Sequence, residues 1–298
     1  MPKSRVVKIT NRKLADADRK LEPSEVKRSL SIAMVYLTGE KDAQSAWQSL
    51  FSGGDHVGIK PNCLGGKPLS SSEVIAMEIV SGLRSAGVEE NNTIIWERTN
   101  RELKRAGYEL NISSSGLRVF GTDSKGVGYG DSLHKQGKVG SLLSKIFEQY
   151  IVKNINFPLL KDHSIAGVSA SMKNFFGLIH NPNKYHMNNC DPYLADLFSL
   201  PLVKRKNVLT ICDATRIQYD GGPGFVPYYI AEPGTIMVAF DPVAMDAVGY
   251  SMLDDYRKRH DLKPLSQIGR EPTWLKTAEK AKIGTADLDH IELIEETI

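Results

Sequence analysis

The chain has few cysteines, no long apolar run and no excess of one charge. Its three cysteines, Cys63, Cys190 and Cys212, lie far apart and form no CxxC pair. These thiols alone cannot hold a structural zinc ion or an iron–sulfur cluster, and their odd number argues against a disulfide framework. Without a run of about 18 apolar residues, we expect no membrane-spanning helix. The net charge of +3, from 38 basic and 35 acidic residues with no basic stripe, argues against nucleic-acid binding.

The first residues, MPKSRVVKIT, contain no apolar segment of the kind found in signal peptides. They lead almost directly into a strand-like run. This start fits a cytoplasmic protein, and it equally fits an extracytoplasmic protein from which an export leader has been removed.

Short apolar runs alternate with helical patterns along the chain, and we treat residues 1–298 as a single α/β unit. The strand candidates, rich in Val and Ile, are RVVKIT, DHVGIKP, NTIIWE, LRVF, IVKNINFPLL, NVLTICDA and TIMVAFDP. The helix candidates are PSEVKRSLSIAMVYL, SSSEVIAMEIVSGLRSAG and DPVAMDAVGYSMLDDYRKRH. Such alternation predicts an α/β fold with a largely parallel sheet, doubly wound and covered by helices on both faces. The Gly- and Ser-rich residues 113–140 predict a long irregular loop.

Polar side chains follow five of the predicted strands. In open parallel sheets, ligands bind beyond the carboxyl ends of the strands, so we expect these side chains to surround one pocket. The alternative is that strand ends are polar simply because they meet solvent. The strand-end residues are Lys60, Asn62, Glu97, Arg98, Asn100, Arg101, Lys161, Asp162, His163, Asp213, Arg216 and Asp241.

The densest polar stretch is residues 161–186, KDHSIAGVSASMKNFFGLIHNPNKYH, which holds three of the seven histidines. After His163 the small residues predict a loop or helix that a ligand could approach closely, and a helix would place Ser169 and Lys173 on one face. A buried lysine can act as nucleophile or base, and histidines transfer protons or bind metals. The alternative is a surface helix with solvated Lys and His side chains.

Four ordered motifs resemble the family called domain of unknown function 362. They are VGIKPNCLGG, LLKDHSIAGVSASMKNFFGLI, VLTICDATR and MVAFDPVAMDAVG. The resemblance covers a core of about residues 55–256 and leaves residues 257–298 as a C-terminal helical and strand extension. LTGEKDAQSAWQSLF and WERTNRELKRAGY resemble the branch whose members often carry twin-arginine export leaders, which implies a bacterial or archaeal protein outside the cytoplasm. Other members carry ferredoxin-type clusters, for which this chain lacks the cysteines.

A more distant similarity links HSIAGVSASMK, residues 163–173, to the H-x-x-A-G-x-S-x-x-x-K segment of nickel-pincer lactate racemases. It implies a lactate-racemase-like sheet, an active-site role for His163, a cofactor-anchoring role for Lys173 and a place for His186 as the downstream histidine. Asn100 stands where the racemases have a histidine, so the resemblance gives it no proton-transfer role.

We interpret the chain as an enzyme with isomerase- or oxidoreductase-like chemistry that acts on a small anionic molecule. Its candidate cofactors are a metal ion (nickel or iron) and an organic, pincer-type group. The candidate catalytic residues are His163 and Lys173. The candidate substrate-binding residues are Lys60, Asn62, Arg98, Arg101, Lys161 and Asn174. The candidate metal ligands are His163, His180, His186 and Asp213.

The alternative class is a non-catalytic protein that binds or delivers a cofactor or metal in the same pocket. The expected partner is a small-molecule ligand. A redox partner and a second copy of the chain are further candidates.

Overall fold

The computed structural model describes residues 4–16 and 20–298. The strands of this part of the chain are β1 (Ser4–Thr10), β2 (Val57–Pro61), β3 (Thr93–Glu97), β4 (Arg118–Gly121), β5 (His134–Gln136), β6 (Val139–Ser141), β7 (Lys153–Phe157), β8 (Leu159–His163), β9 (Gly167–Ser169), β10 (Asn207–Gln218), β11 (Ile230–Ala231), β12 (Thr235–Ala239) and β13 (Ile291–Thr297). Its α-helices are α1 (Pro23–Thr38), α2 (Ala43–Leu50), α3 (Glu73–Ser85), α4 (Asn100–Ala106), α5 (Ser171–Asn174), α6 (Tyr193–Ser199), α7 (Pro201–Lys206), α8 (Pro242–Arg259) and α9 (Trp274–Lys280).

Eleven strands form one mixed, mostly parallel sheet with the main order β13-β1-β12-β10-β7-β2-β3-β4. The run from β10 to β4 is parallel throughout, whereas β12 is antiparallel to both of its neighbours, β1 and β10. The apolar run IVKNINFPLL forms two strands, β7 and β8, with Pro158 between them. The predicted largely parallel sheet is confirmed.

Helices cover both faces of the sheet, as the nearly continuous apolar strands predicted. Successive strand residues alternate between two cores: Val6 packs into the core under α5–α9, and Val7 packs into the core under α1–α4. The three predicted helices are present as α1, α3 and α8. Asp241 caps α8, where its carboxylate accepts the Val243 and Ala244 N–H groups.

The expectation of a long irregular loop over residues 113–140 is wrong in part. Strand β4 lies inside this range, and β5 and β6 form a separate hairpin at its end. Gly137 makes the hairpin turn with a φ of 52°, a left-handed conformation that glycine adopts without steric cost. A Cβ atom at this position would also lie 2.2 Å from a carboxylate oxygen of Asp196, so a larger residue would displace the Asp196 side chain on α6.

Two expectations from composition agree with the structure. The three cysteines are free and buried. Among residues 4–16 and 20–298, no helix is both long enough and apolar enough to cross a membrane.

Candidate functional site

A cavity of about 190 Å³ lies beyond the carboxyl ends of β2, β3 and β8. Its polar lining consists of Asn62, Glu97, Arg98, Glu102, Lys161, His163, Ser169, Lys173, Asn174, Asn183 and His186. A larger cleft of about 410 Å³ lies between α8 and strands β1 and β13, away from these strand ends. The smaller cavity gathers most of the predicted site residues, as the strand-end rule anticipates.

Lys60 lies directly behind the cavity and is fully buried. Its ammonium group forms an ion pair with the Glu97 carboxylate and donates hydrogen bonds to the Pro61 carbonyl (3.2 Å) and the Asn174 Oδ1 (3.3 Å). Burial raises the pKa of Glu97, an effect that the Lys60 charge opposes. A Cβ atom on Gly177 would lie 2.7 Å from Lys60 Nζ, so a larger residue here would displace the Lys60 side chain. Lys60 therefore acts as a buried support of the pocket.

A chain of side-chain amides connects this support to a second lysine. Asn174 accepts a hydrogen bond from Asn62 Nδ2 (3.3 Å), and its own Nδ2 donates to the Asn156 Oδ1 (2.8 Å). Asn62 in turn accepts a hydrogen bond from Lys161 Nζ at 3.1 Å. Burial, followed by the nearby Lys173 charge, lowers the pKa of Lys161 to about 8. Lys161 is thus oriented by a neutral amide.

Lys173 has an aromatic and imidazole environment. Its Nζ lies 3.2 Å from His186 Nε2 and 4.2 Å from the ring centre of Phe176, a cation–π distance. Burial lowers the pKa of Lys173 to about 8. Burial and the Lys173 charge also lower the pKa of His186.

The two histidines of the cavity carry their protons on opposite nitrogens. His163 Nδ1 accepts hydrogen bonds from the Ile165 N–H (3.1 Å) and the Ala166 N–H (3.2 Å), so a neutral His163 is protonated at Nε2. His186 Nδ1 lies 3.0 Å from the Pro182 carbonyl, which can only accept, so the free lone pair of His186 is on Nε2. The rings stack with centroids 5.7 Å apart. Burial, and next the Lys173 charge, lowers the pKa of His163 to about 2. The cavity therefore offers a hydrogen-bond donor and an acceptor side by side.

Sequence reasoning missed the role of Asp246, which is one residue of the predicted helix DPVAMDAVGYSMLDDYRKRH. Asp246 is buried in α8 and accepts the Ser171 N–H (2.5 Å) and the Met172 N–H (2.8 Å) at the start of α5. Two residues later α5 carries Lys173, so Asp246 positions that lysine. A helix that included both Ser169 and Lys173 was one of the two predicted possibilities, but Ser169 lies in β9 and Lys173 in α5. No pattern in the sequence links Asp246 to a helix 75 residues away.

Sequence reasoning also missed Arg270, which comes from the C-terminal extension. Arg270 forms an ion pair with the buried Asp162, the residue before His163, and a second one with Asp220 at 3.1 Å. Asp162 also accepts a hydrogen bond from the Gly222 N–H at 2.7 Å. This hydrogen bond fixes the turn that places Pro223 in the cavity lining. A Cβ atom on Gly222 would lie 1.9 Å from the Asp162 carbonyl, so this close approach requires glycine.

The remaining predicted site residues lie outside the cavity lining. Arg101 is exposed on α4, and His180 packs edge-on against Tyr129 with centroids 5.8 Å apart. Asp213 accepts the Ser72 N–H (2.9 Å) and both donors of Thr215. Asp213 does not reach the rim because β10 continues five residues beyond it, to Gln218.

The four candidate metal ligands are therefore not brought together. Within the described ranges 4–16 and 20–298, no group of three or more His, Cys, Asp or Glu side chains is placed to hold a metal ion. His163 would also have to give up two backbone hydrogen bonds before its Nε2 lone pair could reach a metal. The residues present do not fit a metal held by protein ligands.

The fold and site define an α/β protein with a cationic pocket at the carboxyl edge of its parallel strands. The family described as domain of unknown function (DUF362) matches residues 57–251, well over half of the chain, and the chain belongs to this family. A search of curated proteins finds no match.

The solved structures that are similar to this chain include the following two. One is the lactate racemase apoprotein from Thermoanaerobacterium thermosaccharolyticum, with 14% identity, a TM-score of 0.46 and coverage of 80% of this chain and 55% of that chain. The other is a structural-genomics target from Thermotoga maritima, with 9% identity, a TM-score of 0.45 and coverage of 87% and 59%. The chain thus spans little more than half the length of either protein.

Proposed function

We propose that this protein is an enzyme that binds a small organic anion in the cavity beyond β2, β3 and β8. The observation that carries the proposal is the concentration of buried ammonium groups: Lys161 and Lys173 line the cavity, and Lys60 lies directly behind it. Of the two carboxylates at the cavity, Glu97 is paired with Lys60, and Glu102 accepts from Thr99 at the start of α4. The charges of Lys161 and Lys173 therefore favour an anionic ligand, since buried cations are stabilised by a counter-charge.

The proposed chemistry is proton transfer or carbonyl activation, as in isomerases and oxidoreductases. His186 Nε2 is the basic nitrogen beside Lys173, and His163 Nε2–H is a hydrogen-bond donor suited to a carbonyl or hydroxyl oxygen. Arg98, at the cavity wall, adds a cation for a second oxyanion.

Titration calorimetry with a panel of short-chain carboxylates and phosphate esters tests the binding step. We expect at least one anion to bind, and we expect Lys161→Met and Lys173→Met each to weaken its affinity at least tenfold, equivalent to about 1.4 kcal/mol. Lys258→Met, which removes an exposed cation on α8, is the matched control and should leave the affinity unchanged. Equal affinities for all four proteins would contradict the proposal.

One observation favours the second candidate, a non-catalytic protein that carries a small molecule. The ring of His163 is held as a neutral donor by two backbone N–H groups, and a binding pocket needs no residue that changes its protonation state. Native mass spectrometry of protein purified from its own host, without air, separates the two. Stoichiometric retention of a ligand without turnover would favour the carrier, whereas turnover on a defined substrate would exclude it.

A further inference from the structure

We propose that Lys173 captures the carbonyl group of a small 2-oxo carboxylate as a protonated imine. This inference rests on the proposed function, because it uses the same cavity, and it names the class of substrate and the atom that reacts.

The first support is the environment of the Lys173 amine. The side chain is buried, and its described contacts are the imidazole of His186 at 3.2 Å and the face of Phe176 at 4.2 Å. Neither of these two groups carries a negative charge that would hold the ammonium form. Burial without a counter-ion makes the ammonium group easier to deprotonate than that of an exposed lysine, and the free amine is the nucleophilic form of lysine. Lys60 differs from Lys173 in this respect, because its ammonium group is paired with the Glu97 carboxylate.

The second support is the arrangement of the other polar groups around the cavity. Lys161 donates one described hydrogen bond, to a neutral amide, and its remaining donors suit a carboxylate. His163 carries its proton on Nε2 and suits a carbonyl oxygen that gains negative charge as it is attacked. A 2-oxo acid has both acceptors on adjacent carbons. The cavity volume of about 190 Å³ leaves room for a short-chain acid.

The reaction balances with the groups present. His186 Nε2 takes a proton from the Lys173 ammonium, and the free amine forms a C–N bond to the carbonyl carbon. A proton moves from this nitrogen to the former carbonyl oxygen, which gives a neutral carbinolamine. The His186 imidazolium then returns its proton to the hydroxyl group, the C–O bond breaks, and water leaves. The products are a protonated imine on Lys173 and neutral His186, so no oxidant or reductant is consumed.

Reductive trapping tests the proposal on the full-length protein. The protein is incubated with glyoxylate, pyruvate or 2-oxoglutarate, treated with sodium borohydride and analysed by intact mass and peptide mapping. Hydride addition to the imine leaves an adduct equal to the mass of the oxo acid less one oxygen. We expect stoichiometric modification of Lys173 by at least one acid and none after Lys173→Arg. Lys276→Met, at an exposed ion pair with Glu271, is the matched control and should leave the yield unchanged.

A second comparison separates imine formation from anion binding. Lys161→Met should lower the yield with the oxo acid at least tenfold and should have less effect with butanone, which has a carbonyl but no carboxylate. If the oxo acids bind saturably by calorimetry but Lys173 is modified no more than Lys276, the imine is refuted and the anion pocket stands. If no oxo acid binds while other anions do, the substrate class is refuted. If no anion of any kind binds, the proposed function fails together with this inference.

Discussion

Replacement of Glu97 by glutamine should have opposite effects on the stability of the fold and on the affinity for an anion. The Lys60 ammonium is fully buried, and the Glu97 carboxylate is its ionic partner. Removal of one member of a buried ion pair costs about 3–5 kcal/mol, because it leaves an uncompensated charge. The glutamine oxygen can still accept a hydrogen bond from Lys60, so we expect Glu97→Gln to lower the free energy of unfolding by about 3 kcal/mol, the lower end of that range.

The same substitution should strengthen ligand binding. Glu97 lines the cavity, and its negative charge repels a bound anion. At a separation of roughly 8 Å and an effective dielectric constant of about 20, this repulsion is at most about 2 kcal/mol. Glu97→Gln should therefore be less stable than the parent protein and yet bind the anion more tightly. A general loss of structure would instead lower the stability and the anion affinity together.

Urea denaturation followed by far-ultraviolet circular dichroism measures the stability effect. Tryptophan fluorescence is unsuitable, because Lys60 Nζ lies 5.5 Å from the ring of Trp96 and the substitution would alter its emission directly. Glu90→Gln is the matched control, since Glu90 forms an exposed ion pair with Arg84, and such pairs contribute about 1 kcal/mol or less. If the two variants shift the unfolding midpoint equally, Lys60 is not held as a cation by Glu97.

Three further outcomes follow from the same contacts. Asp246→Ala leaves two backbone N–H groups at the start of α5 buried and unpaired, so stability should fall by about 3 kcal/mol in urea denaturation, with Asp246→Asn intermediate. Gly177→Ala places a methyl group 2.7 Å from Lys60 Nζ and should lower the free energy of unfolding by about 1–3 kcal/mol. An unchanged thermal midpoint would show that the backbone at residue 177 is not packed tightly against Lys60. Lys161 and Lys173, with pKa values of about 8, are charged below that pH, so anion affinity measured by calorimetry should be constant at lower pH and fall above 8. A rise in affinity above pH 8 would show that these ammonium groups do not hold the anion.

The C-terminal extension contributes to the site although it lies outside the region matched by the family. Arg270 reaches back to Asp162, and the Trp274 indole N–H donates to the Ala166 carbonyl at 3.0 Å. A Cβ atom on Gly167 would lie 2.2 Å from the Arg270 carbonyl, so the two segments are in close contact. The extension thus supports the segment between His163 and β9. Residues 257–298 are therefore part of the scaffold that orients the cavity.

Local sequence patterns indicated the central strands of the sheet, three of the helices and most of the polar cavity lining. Apolar runs marked strands that are buried on both faces, and helix periodicity marked α1, α3 and α8. The carboxyl ends of neighbouring parallel strands share one edge, so the sequence alone indicated that Asn62, Arg98, Lys161 and His163 would lie near one another. The short spacing between His163 and Lys173 likewise keeps both residues at that edge. These conclusions depend on periodicity and on strand direction, which are properties of nearby residues.

Only the tertiary structure decided what each polar group can do. The tautomers of His163 and His186 follow from backbone groups that orient their rings, and composition carries no information about those contacts. Asp213 is excluded from the rim because β10 extends beyond it, a boundary that the apolar pattern did not mark. Arg270 pairs with a carboxylate that lies 108 residues earlier in the chain. The packing of the whole chain decides which distant cation meets each buried carboxylate. The sequence therefore determined where the chemistry lies, and long-range packing determined which atoms are free to perform it.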